Sequence, residues 1–193
     1  MLITKEEIRR INKLRRAEMA ELEVKEKSLR AAEVFLSSEF YKNAGQIMLY
    51  TPLGKETDTN DIIKSAFAMG KKLVFPVTDA ATGEITPYYA TENTVFTKGA
   101  FSVSEPVDTQ PADMSETDVI LVPGIAFDKS GVRVGFGKGC YDRLLKDTEA
   151  VKIGFCYDFQ LSEKIASQEH DVPMDFVITE NGLTECNNGL NSL

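Results

Sequence analysis

The chain is short of most groups that would allow a metal- or disulfide-based reading. Its three cysteines, Cys140, Cys156 and Cys186, are widely spaced with no C-x-x-C pair, so zinc-ribbon and thioredoxin-like patterns are excluded. A single histidine, His170, excludes a histidine-rich metal centre, and it reads as structural because no Ser or Cys stands in a nucleophile motif such as G-x-S-x-G. No apolar run approaches the length of a membrane span, and the start, Met1 to Glu7, turns charged before a signal-peptide core can form. These absences predict a cytoplasmic protein with no membrane partner. Positive charge is scarce as well: 22 Lys and Arg against 30 Asp and Glu leave a net charge of −8. A surface that coats nucleic acid needs cations to displace phosphate counterions, so nucleic acid is not expected as a partner.

What is present is a globular composition of 193 residues, 42% hydrophobic and 27% charged. That length suits one domain over residues 1–193 whose core holds without staples. Apolar residues at helical spacing from Thr4 to about Phe40 predict two helices, with Ser28 or a neighbour capping the second. Gln46 to Tyr50 reads as a buried strand ending at the turn Thr51-Pro52-Leu53-Gly54. A helix from Asp58 or Thr59 to Met69 and the strand Leu73 to Val77 complete a βαβ unit. Residues 78–117 read as a polar excursion with one strand, Ile85 to Tyr89, in a small hairpin. Further strands are expected at 118–122, 152–156 and 176–179, and helices at about 141–146 and near Ser162 to Ser167, before a loose polar tail from Thr184. The fold class is therefore α/β: a single three-layer domain with a largely parallel sheet flanked by helices, its ligand crevice at the strands' carboxyl ends.

The segment from Gly131 to Arg143 carries the most chemistry. Gly135, Gly137 and Gly139 alternate, removing side chains where backbone must approach a ligand or take positive φ, and a helix starts directly after them. A glycine triplet alone is better explained by a packing turn. Arg133 and Lys138 in the same stretch turn the reading towards phosphate. Neither common nucleotide fingerprint applies, because Cys140 stands where a Rossmann G-x-G-x-x-G needs glycine and Gly139 where a Walker A loop needs Ser or Thr. A second basic island lies in residues 1–16, where six cations, including Lys5 and Arg9 one helical turn apart, face only Glu6 and Glu7. Alone it reads as a solvated helix face; beside an anion-seeking loop it becomes a second jaw on a polyphosphate. Asp142 and Asp171 are candidate carboxylates for Mg²⁺, although Asp142 could equally cap its helix.

Leu121 to Asp128, then Gly131, Arg133 and Gly135-x-Gly137-x-Gly139-x-Tyr141-Asp142-Arg143, resemble the signature of the 5-formyltetrahydrofolate cyclo-ligases. Lys5-x-x-x-Arg9 resembles that family's N-terminal nucleotide motif, and Tyr50 to Ile63 resembles its folate segment. The resemblance implies an ATP- and Mg²⁺-dependent conversion of 5-formyltetrahydrofolate to 5,10-methenyltetrahydrofolate, releasing ADP and phosphate through an N5-iminium phosphate. It implies ATP binding by Lys5, Arg9, Arg133, Val134, Gly135, Phe136, Gly137, Lys138, Gly139, Cys140 and Tyr141. Substrate binding is implied for Thr51, Glu56 and residues Phe136, Gly137, Lys138, Gly139 and Cys140, and metal binding for Asp142 and Asp171. The expected partners are ATP and a reduced folate, in a monomer or weak homodimer. One departure stands out: the family usually has two tyrosines before the aspartate, and here the first is Cys140. That thiol keeps two other readings open, an ATP-dependent kinase or ligase acting on another small acid or amide, and a non-catalytic nucleotide- or folate-binding module.

Overall fold

The computed structural model describes residues 3–187. In chain order the elements are α1 (Lys5–Glu18), α2 (Glu21–Ser37), α3 (Glu39–Asn43), β1 (Gln46–Met48), α4 (Asn60–Ala68), β2 (Lys72–Thr78), β3 (Ile85–Ala90), β4 (Phe96–Lys98), β5 (Ser104–Pro106) and β6 (Val119–Val122). They continue with β7 (Ala126–Asp128), β8 (Arg133–Val134), α5 (Cys140–Leu145), β9 (Val151–Phe155), β10 (Leu161–Ser162), β11 (Phe176–Thr179) and β12 (Gly182–Glu185). Seven strands form one sheet in the order β12-β11-β9-β6-β1-β2-β3. The five inner strands are parallel, and the hairpin partners β3 and β12 close the two edges antiparallel.

Alternation along the central strands explains why both sheet faces are covered. Ile47, Leu73, Val119, Leu121 and Ile153 point to one face, where Ala31, Ala32 and Phe35 of α2 and Ile62 and Ala66 of α4 pack on them. Met48, Val74, Ile120 and Val122 point to the other, against Phe127 of β7 and Leu145 of α5. The helical layer is thus complete on one side only. On the other, α5 shares the work with a three-stranded sheet, β10-β7-β8, on which Ile8 of α1 rests through Ala126, Val132 and Val134.

Several expectations need correction. The two N-terminal helices part at Met19 and Ala20, in ordinary extended conformation that requires neither Gly nor Pro. Ser28 lies inside α2, buried, where its Oγ meets the Tyr157 hydroxyl at 3.2 Å and accepts from the Asp58 N–H at 2.9 Å. No helix forms near Ser162 to Ser167. Leu161 and Ser162 pair with β7, and the Ile165 N–H donates to Asp128 Oδ2 at 2.7 Å, so tertiary pairing overrides a segment too short to be helical by itself. Asp171 sits in a turn five residues before β11. The polar excursion carries β4 and β5 besides β3. Thr184 and Glu185 belong to β12 and Cys186 is buried, so the tail is ordered that far; residues 188–193 lie outside the described residues. Among the described residues no helix is long and apolar enough to cross a membrane.

Candidate active site

From β1 the chain moves to β2 on one side and later returns to β6 on the other, so the switch point of the sheet lies between β1 and β6. In open parallel sheets a crevice forms there, beyond the carboxyl ends. Tyr50 and Thr51 leave β1, and Pro123 and Gly124 leave β6, into a cleft of about 940 Å³. Every site residue named from the sequence lines this cleft: Lys5 and Arg9 from α1, Thr51 and Glu56 from the loop after β1, Arg133 through Asp142, and Asp171. Other lining residues carry no signal in the sequence. Phe101 and Val103 come from the β4–β5 connection, Pro76, Thr78 and Ile85 from the β2–β3 hairpin, and Gln168 from the loop before Asp171. His170 is exposed at the cleft wall instead of being a structural core group.

The glycine segment wraps the cleft because two of its positions need backbone that side chains resist. Gly137 has φ 99° and Gly139 φ 65°; Gly139 precedes α5 and turns the chain into it. Arg9 fastens the segment, its Nε donating to the Gly135 carbonyl at 2.9 Å. Lys138 places its ammonium 3.8 Å from the centre of the Phe101 ring, and Lys13 lies 5.0 Å from the Phe136 ring centre.

Charges in the cleft are arranged in opposed pairs. Lys5 holds both carboxylate oxygens of Asp171. The buried guanidinium of Arg133 donates to Asp142 Oδ2 at 3.1 Å and to the Pro123 carbonyl at 3.4 Å, and it lies over the Tyr141 ring. Its Nε has no hydrogen-bond partner. Among the described residues Arg9 and Lys138 make no ion pair, which leaves their charge available to an anion. Asp142 and Asp171 offer oxygen donors only, and no group of three or more His, Cys, Asp or Glu among the described residues could hold a metal. Two carboxylates on a polyphosphate-sized cleft fit Mg²⁺, which takes few protein ligands and fills its octahedron with water and phosphate oxygens.

Glu56, which also lines the cleft, is 6% exposed. Burial pushes its carboxyl above the ordinary 4.5, opposed by the Arg16 guanidinium and by a hydrogen bond from the Leu53 N–H to Oε2 at 3.0 Å. Burial likewise pushes the phenols of Tyr50 and Tyr141 upwards, so both stay protonated as donors. Thr51 is committed to the protein, donating to the Ser104 carbonyl at 2.6 Å.

Comparison with known proteins agrees with this architecture. A profile of the 5-formyltetrahydrofolate cyclo-ligase family matches residues 3–180. The 5-formyltetrahydrofolate cyclo-ligase of Escherichia coli (strain K12) is 29% identical over 150 residues, covering 74% of this chain and 81% of the relative. That of Mycolicibacterium smegmatis is 32% identical over 140 residues, covering 69% and 72%. The NMR structure of Aquifex aeolicus 5,10-methenyltetrahydrofolate synthetase superposes with a TM-score of 0.86 at 32% identity, over 99% of this chain and 96% of that one. With a match over most of its length and the same fold as a synthetase of that name, the chain belongs to the 5-formyltetrahydrofolate cyclo-ligase family, a family of ligases.

Proposed function

We propose that the chain, acting as one domain, closes the ring of 5-formyltetrahydrofolate to 5,10-methenyltetrahydrofolate at the cost of ATP, with Mg²⁺ bound at Asp142 and Asp171. The observation that carries this reading is the meeting of three requirements in one cleft: cations for a polyphosphate, two carboxylates for a divalent ion, and a buried acid for a polar heterocycle edge. A formyl oxygen on an amide-like nitrogen is a weak nucleophile. It attacks the γ-phosphate only when held in line while the spreading negative charge is met by preplaced donors.

Arg9 and Lys138, free of carboxylate partners, and the backbone around Gly137 and Gly139 grip the phosphates. Lys5 and Arg133 exchange Asp171 and Asp142 for phosphate oxygens as the ligand enters. Mg²⁺ held by Asp142 and Asp171 would neutralise part of the phosphate charge. Glu56 accepts from the donor groups on the pterin edge and so fixes the formyl group against the nucleotide. As the formyl oxygen bonds to the γ-phosphorus, the bond to ADP breaks and ADP leaves; with N5 then carrying an iminium phosphate, N10 attacks the activated carbon and gives up its proton, the carbon–oxygen bond breaks to release phosphate, and the methenyl bridge closes.

The test is purified protein with ATP, Mg²⁺ and 5-formyltetrahydrofolate, following the methenyl product in the near ultraviolet. Product that requires both ATP and Mg²⁺ supports the reading. ATP turnover with another acceptor and no methenyl product would replace it by a different ATP-dependent ligase or kinase, and ligand binding without turnover by a binding module.

A further inference from the structure

The polar face of α1 reaches from Asp171 and the glycine segment to Glu56. Lys5, Arg9, Asn12 and Arg16 recur at intervals of three or four residues, so they lie along one side of the helix. Lys5 and Arg9 meet Asp171 and the Gly135 carbonyl on the glycine side. Asn12, buried, donates to the Ile125 carbonyl at 3.0 Å. Three turns from Lys5, Arg16 Nη1 stands 3.5 Å from Oε1 of Glu56. The residue before Glu56 fastens the same end: the Lys55 ammonium donates to the carbonyls of Ala17 and Met19, closing the last turn of α1.

We propose that Arg16 is a positioning residue for substrate: from the last turn of α1 it holds the buried Glu56 carboxylate in the orientation that receives the polar edge of the pterin. This rests on the reading of Glu56 as the folate acid and assigns to Arg16 a role of its own within it.

A carboxylate has about four acceptor positions on its two oxygens. The Leu53 N–H occupies one on Oε2 and Arg16 stands beside Oε1 as an ion pair at 3.5 Å, which leaves acceptor positions on both oxygens for ligand donors. Three hydroxyls also stand near Glu56: Tyr50 beyond β1, Tyr141 on α5, and Tyr157, whose OH donates to the Glu56 backbone carbonyl at 3.2 Å. Arg16 is the cation ion-paired to Glu56 among the described residues. Buried as it is, the carboxylate without that cation takes up a proton at higher pH and turns one acceptor oxygen into a donor.

The experiment measures folate and ATP kinetics for Arg16→Gln, Arg16→Lys, Glu56→Gln and the double variant Arg16→Gln/Glu56→Gln. Arg16→Gln raises the folate KM roughly tenfold, as expected when a buried carboxylate loses its ion-pair partner, with kcat and the ATP KM within about twofold of wild type. The acid limb of folate kcat/KM moves to higher pH, and Arg16→Lys restores part of both effects. The double variant matches Glu56→Gln, since Arg16 acts only through the carboxylate. If Glu56→Gln raises the folate KM while Arg16→Gln leaves KM and acid limb in place, or if the two substitutions add, the positioning role is wrong and the Glu56 reading stands. Wild-type folate KM in Glu56→Gln removes the Glu56 reading itself. Should Arg16→Gln fold poorly, Arg16→Lys carries the test: an unshifted acid limb overturns the proposal.

Discussion

Lys5, in the first turn of α1, holds both carboxylate oxygens of Asp171, 166 residues further along the chain, so the two groups neutralise one another inside the cleft. Each is assigned to an opposite charge of the same incoming complex, Lys5 to phosphate and Asp171 to metal. Breaking the pair from either side therefore has opposite effects on nucleotide binding. Asp171→Asn frees Lys5 and tightens binding of metal-free ATP several-fold, while Lys5→Ala weakens it several-fold. Calorimetric titration with ATP in the presence of a chelator checks this; a loss of affinity in both variants would mean that the pair acts only as a structural tie.

Arg133 and Asp142 form a second largely buried pair, with side chains 6% and 19% exposed. Asp142→Asn leaves a desolvated guanidinium whose Nε already lacks a partner. Loss of one member of a buried pair costs about 3 kcal/mol. A drop of that size in the free energy of urea unfolding, together with a higher Mg²⁺ requirement in the activity assay, is the expected outcome. An unchanged urea midpoint would show that water or another donor replaces the carboxylate.

The raised carboxyl of Glu56 gives stability a pH dependence with a definite sign. Above the ordinary value of 4.5 the unfolded chain has released this proton while the folded chain still holds it. The folded state binds more protons over that range, so the stability from this group is present at low pH and is lost as pH rises towards the raised folded value. Relative to Glu56→Gln, wild type therefore loses unfolding free energy as pH increases above 4.5, then levels off. Paired denaturation series across this range test it; a difference that grows in favour of wild type with pH would mean that Arg16 outweighs burial.

Cys140 stands against the β2–β3 turn: a Cβ added at Gly83 would lie 3.2 Å from its Sγ and 2.8 Å from Arg143 Nη2. Arg143 in turn donates to the Gly83 carbonyl at 2.9 Å and the Lys138 carbonyl at 3.1 Å. Little space exists on that side for a ring. Cys140→Tyr is expected to destabilise the fold by about 1–3 kcal/mol through overpacking unless Gly83 moves. If it folds with wild-type stability and a lower folate KM, the ring has turned into the cleft and takes the place that the thiol leaves open.

Much of the frame was legible because its signals are local. The run Gln46 to Tyr50, the turn at Pro52 and Gly54, and the apolar spacing of Ile62, Ala66 and Phe67 identify a βαβ unit without long-range information, and β1, α4 and β2 follow. The alternating glycines were legible because positive φ at Gly137 and Gly139 is a property of one residue at a time. The break at Met19 and Ala20 was not, since two extended residues of ordinary type leave no mark; there Lys55, 36 residues beyond Met19, caps the helix end. The stretch at 162–167 reads helical by composition, yet pairing with β7 and burial of Ile165 outweigh a weak local preference.

By itself the amino-acid sequence determined the kind of fold, the glycine wrap and the identity of the charged groups, because strand alternation, helix spacing and backbone permissiveness act between near neighbours. Only the tertiary structure decided which charges oppose one another. Lys5 with Asp171 and Arg16 with Glu56 join α1 to segments far along the chain, and Arg133 with Asp142 closes the glycine segment on itself. Such pairings depend on distance in space and on burial, and neither is written in residue order.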